Sequence, residues 1–179
     1  MRKDLQNGRS MIEMLGVLSI IGILTVGGFN LISKTVSENR VNKVIDEVSD
    51  LARHTRIVFR EFIYDTDVTD GKDMTEYLYN AKAYPDVLEY SDKKFIDDED
   101  VEMTVSYKKK DNVEYFVLKI ANMSEEICMA IANGQWGTAA TNGFVGINFN
   151  ASNVIGGTVG LDTATSTCAD GTTIYLAFR

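Results

Sequence analysis

The sequence predicts an α+β protein in which a long N-terminal helix backs an antiparallel sheet, and three observations carry that prediction. No charged residue occurs between Met14 and Ser33. Apolar residues then recur at three- and four-residue spacing as far as Phe62, with no helix-breaking proline before Pro85. From Val101 onward, β-prone runs alternate with turn residues. The chain has 179 residues, 45% of them hydrophobic, which suits one modest core and excludes a mainly disordered polymer. Eighteen Lys plus Arg against 26 Asp plus Glu give a formal charge of −8, so nucleic acid is not an expected partner.

An uncharged helix over Met14 to Ser33 would be about 30 Å long, the thickness of a bilayer core, and is expected to be transmembrane. Arg2 and Lys3 make the preceding flank mildly basic, which keeps the N-terminus cytoplasmic and places the remainder outside. No A-x-A cleavage site follows the apolar stretch, as it would after an ordinary secretory signal; Lys34 onward continues as helix. Glu13 stands out at the edge of this stretch. A carboxylate in hydrocarbon costs a few kcal/mol, so it either snorkels to the interface or meets a cationic partner.

The neighbours of Glu13 bear on that choice. The run GRSMIEMLGVLSIIGILTVGG, Gly8 to Gly28, sets a glycine five residues before Glu13, after a short basic leader and ahead of the uncharged span. This resembles the class III signal of type IV pilins and related pilin-like proteins. The resemblance implies a leader peptide over 1–8, cleavage by a prepilin peptidase between Gly8 and Arg9, N-methylation of Arg9, and an assembly role for Glu13. Arg9 stands where the family usually carries an apolar residue. A buried carboxylate becomes tolerable when the terminal ammonium of a neighbouring subunit meets it, and such a pair fixes axial register. The implied layout is a filament-core helix over 9–33, an amphipathic helix over 34–64 and a globular head over 65–179.

Within the amphipathic part, Val41, Val44, Ile45, Val48, Leu51, Ala52, Val58, Phe59 and Phe62 form one apolar face. Glu38, Arg40, Lys43, Glu47, Asp50 and Arg53 are expected mostly on the other. Gly16, Gly22, Gly27 and Gly28 weaken the first half of the helix or let another helix approach closely; both readings stand.

Asp65 to Asp100 is acidic and irregular, with one short helix near Met74 to Lys82 that Pro85 ends. The run Asp97 to Asp100 reads as a solvated acidic turn, with Ca²⁺ binding as the alternative, although the alternation and central glycine of an EF-hand are missing. Val101 to Tyr107 and Val113 to Ile120 read as a hairpin across KKKDN. A short helix capped by Ser124 ends at Gly134, and strands at Phe144 to Phe149 and Thr173 to Phe178 follow.

The cysteines are Cys128 and Cys168. In a translocated head they most simply form one disulfide; free thiols are the alternative, and a metal pair lacks further ligands because His54, the one histidine, lies on the long helix. The order of helix Cys, QWGTAATNG and TCADGTTIYLAF also resembles the head of type IVb pilins, although the leader is shorter than is usual there. No nucleophile, acid–base or phosphate-cradling constellation is evident, so neither an enzyme nor a cofactor is expected. The expected function is that of a structural subunit of a type IV, and by its head type IVb, pilus. It would serve adhesion, motility or conjugation-type contact, with the inner membrane before assembly and the extracellular pilus after it as its locations. The expected partners are other copies, the peptidase and the assembly machinery. A minor pilin, a type II secretion pseudopilin and a membrane-anchored binding domain are the alternatives.

Overall fold

The computed structural model describes residues 6–65, 68–150 and 154–179, without the side chains of 6–13, 20, 22–33 and 65. The chain divides into two units, Met1–Arg40 and Val41–Arg179, and helix α1 (Gln6–Asp65) contributes to both.

In the first unit the expectation of a transmembrane helix is corrected. Among the described residues no helix is long and apolar enough to cross a membrane. Apart from Val36, which follows Lys34, the apolar side chains described there lie between Met14 and Ile21, about 12 Å of helix against a bilayer core of about 30 Å. Over 34–64, where side chains are described without a break, Lys34, Glu38, Arg40, Lys43, Glu47, Asp50 and Arg53 interrupt the apolar residues. That helix is amphipathic, and the predicted architecture of a transmembrane and then amphipathic pilin helix is not what the described residues form.

In the second unit α1 buries Val44, Val48, Leu51, Ala52, Phe59 and Phe62, a stripe at three-, four- and seven-residue spacing. The elements that follow are α2 (Thr75–Asn80), β1 (Glu89–Ser91), β2 (Lys94–Ile96), β3 (Glu102–Lys110), β4 (Val113–Met123), α3 (Glu125–Asn133), β5 (Phe144–Asn148), α4 (Leu161–Thr167) and β6 (Thr172–Phe178). The strands form one antiparallel sheet in the order β1-β2-β3-β4-β6-β5. Alternation along β3 sends Met103, Val105 and Tyr107 into the core. There Phe59 of α1 meets Phe116 of β4 with ring centroids 5.3 Å apart, and Phe116 stacks on Phe178 of β6 at 5.6 Å. Strand β4 buries four consecutive residues, Tyr115 to Leu118, because its other face is covered too: Tyr115 and Val117 join Val154 and Ala177 in a second, smaller cluster.

Local chemistry sets the connections. Asp111 and Asn112 both take positive φ, at 51° and 62°, which closes the β3–β4 hairpin in two residues and draws Lys108 to Lys110 of the expected loop into the strand. Asp92 and Lys93 close β1 onto β2 in the same way, at 50° and 62°. Helix α3 begins where Ser124 Oγ accepts the Ile127 amide at 3.4 Å.

Candidate functional site

Gly8, Arg9 and Glu13 fall within α1, and their side chains lie outside the described residues. Next to them on the same helix, Met14, Leu15, Val17, Leu18 and Ile21 are between 50 and 66% exposed. At 100° per residue these five side chains cover about 160° of the helix surface. Gly16 and Ser19 lie off that face: a β-carbon on Gly16 would meet nothing within 4 Å, and the Ser19 hydroxyl folds back to donate to the Leu15 carbonyl at 2.8 Å. A broad exposed apolar face of this kind can take up other apolar surface.

In the second unit Cys128 of α3 and Cys168, just after α4, are joined by a disulfide with Cα atoms 5.6 Å apart. Both are buried, so the bridge pins the segment entering β6 to α3 inside the core. The loop after α3 is fixed by Trp136, whose indole N–H donates to the Ile131 carbonyl at 2.8 Å, and by Asn142, whose amide donates to the Trp136 carbonyl. Between that loop and α1 lies a groove of about 340 Å³ bordered by Arg53, Arg56, Trp136, Asn142 and Phe178. His54 is half-buried on α1.

Two residues lie elsewhere than the sequence places them. Asp97 does not belong to a solvated turn: it is 6% exposed. Glu47, expected on the polar face of α1, is 5% exposed. The signal for Glu47 was its position between Val44 and Val48, inside the apolar stripe. Burial holds both carboxyl groups above the ordinary carboxylate range, Glu47 to about 7, with Asp97 as the next cause for Glu47 and the cation of Lys43 opposing it. Among the described residues no three His, Cys, Asp or Glu side chains come together as a metal site would require. Tyr107 is likewise raised by burial and by Glu114, to which its hydroxyl donates at 3.2 Å.

Comparison of the chain with protein-family models, with curated proteins and with solved structures finds no match.

Proposed function

We propose that the chain is a structural subunit of a type IV pilus, of the type IVb kind, cleaved after Gly8, methylated at Arg9 and polymerised through the first part of α1. The observation that carries this reading is the exposure of Met14, Leu15, Val17, Leu18 and Ile21 directly after Glu13. Fully burying a large apolar side chain is worth roughly 1.5 to 3 kcal/mol, so five of them on one helical face favour association with equivalent faces of other copies. Glu13 in such a packed core needs a cation, and the ammonium at Arg9 of an adjacent copy supplies it. A head-to-tail contact of this kind is heterologous and repeats without closing, which gives a filament. The subunit is taken from an inner-membrane pool by the assembly machinery and ends in an extracellular pilus. The disulfide between Cys128 and Cys168 favours a pilin over a secretion pseudopilin as the form of this role.

The test is assembly of the Glu13→Ala protein. N-terminal sequencing should find the mature chain beginning at Arg9 in wild type and variant alike, while electron microscopy of sheared surface fractions finds filaments only with wild type. Abundant normal filaments from Glu13→Ala, or a mature chain that keeps residues before Arg9, would overturn the reading.

A further inference from the structure

Asp97 begins the short turn between β2 and β3, and Glu47 faces it from α1. One oxygen of Asp97 is fully used: Oδ1 accepts the amides of Glu99 at 2.9 Å and Val101 at 2.8 Å. The other, Oδ2, is buried with no donor, and so is Glu47 Oε2. The two carboxyl groups are nevertheless within hydrogen-bonding reach of each other, so the missing donor is a proton on one of them.

The other charged groups around the pair leave that need unmet. Lys43 lies one helical turn before Glu47, 3.8 Å from Oε1, and is already bound to Asp98 of the same turn. Lys43 thus faces three carboxyl groups, two of them buried, and Asp98 adds to the repulsion felt by both. Two ionised carboxylates held in contact away from water are the arrangement that side chains avoid by keeping one proton between them.

We propose that Glu47 and Asp97 share a single proton and that this proton latches the 97–100 turn onto α1, so that the turn loosens as the proton is lost. Glu47 is the donor and Asp97 the acceptor, since Asp97 already holds two amide donors that favour its ionised form. Without the proton the buried charges separate by the cheapest route, which is release of a four-residue turn whose Asp98 and Asp100 already face solvent. Release breaks the Lys43–Asp98 contact and the bond from Asn122 Nδ2 to the Asp100 carbonyl, 2.8 Å long, and presents an acidic strip of four residues, Asp97 to Asp100. Glu47 and the 97–100 turn both belong to residues 41–179, so the latch is independent of the filament reading.

The test is hydrogen exchange and carboxyl ¹³C NMR on the full-length protein in detergent micelles as a function of pH. The Glu47 carboxyl should titrate near 7. Opening of the turn, read from the amides of Glu99 and Val101 after correction for intrinsic exchange, should increase up to about tenfold per pH unit between roughly 4.5 and 7 and then level off. Glu47→Gln, whose amide donates to Asp97 at every pH, should abolish that dependence. Asp97→Asn, which reverses donor and acceptor, is the control where the first variant fails to fold. A Glu47 midpoint near the ordinary 4.5, or a pH dependence that persists in whichever variant folds, would overturn the proposal.

Discussion

Thr75 and Val105 are bonded to each other twice. The Val105 amide donates to Thr75 Oγ1 at 3.0 Å, and that hydroxyl donates to the Val105 carbonyl at 3.4 Å, with the Met74 amide reaching the same carbonyl at 2.8 Å. Strand β2 pairs with β3 only at Glu102 and Met103, so the segment leading into α2, Gly71 to Thr75, takes over the open side of β3 from Val105 onward. Thr75 is completely buried. Thr75→Val keeps the volume but leaves the Val105 amide without an acceptor, and should cost about 1 to 3 kcal/mol in urea unfolding. Thr75→Ser keeps the acceptor and loses one methyl group, about 1 kcal/mol. A serine variant less stable than the valine variant would contradict this account.

This relationship also marks where the sequence stops being readable. The apolar stripe of α1, the Asp111-Asn112 hairpin and the Ser124 cap are local patterns and could be read directly. Strands β1 and β2, three residues each, were hidden in a stretch that read as acidic and irregular, and α4 had no apolar period to announce it. Their existence depends on partners distant in sequence. The same holds for the polar positions: Glu47 and Asp97 look like surface charges until a turn fifty residues away closes over α1. Of the residues proposed to act in assembly, Glu13 stood out as a carboxylate at the edge of an uncharged span and Gly8 and Arg9 only through a resemblance, and the side chains of all three lie outside the described residues.

Gly146 in β5 offers a second test of packing. A β-carbon built there would collide with the Val154 carbonyl oxygen and stand 2.9 Å from the Gly156 nitrogen, both of them backbone atoms that no rotamer change can move aside. The register shift between Phe144 and Gly146 is set at this close approach. Gly146→Ala should therefore lose about 1 to 3 kcal/mol, read from the denaturation midpoint, although alanine suits a strand better than glycine on local grounds. An unchanged midpoint would show that the 154–156 segment yields freely.

The disulfide joins residues 40 apart in sequence. In the chain-entropy model a loop of that size stabilises the folded state by roughly 3 to 4 kcal/mol. Non-reducing peptide mass spectrometry should recover Cys128 and Cys168 in one linked pair. The Cys128→Ser, Cys168→Ser protein should unfold at correspondingly lower denaturant, with the loss falling on α3 and β6 in hydrogen exchange. Two alkylatable thiols in the folded protein would refute the linkage.

The buried carboxyl pair fixes the sign of a pH effect on global stability. Glu47 titrates at about 7 in the folded chain and near its ordinary value of 4.5 when unfolded, so between those values the native state binds more protons. Its stabilising contribution is complete below 4.5 and is lost as pH rises through about 7. Asp97, raised by burial from 3.8, acts in the same direction from a lower starting pH. Denaturation midpoints measured from roughly pH 4 to 9 should fall through this window and then flatten, and Glu47→Gln should remove most of the slope. Lys43 discriminates further, because its cation opposes the rise in the Glu47 value and also engages Asp98. Lys43→Met should move the Glu47 titration above 7, steepening the loss of stability at neutral pH while leaving the acid side little changed. A Glu47 midpoint that moves down in Lys43→Met, or stability that climbs from pH 5 to 7 in wild type, would show that the proton is not held where the geometry requires it.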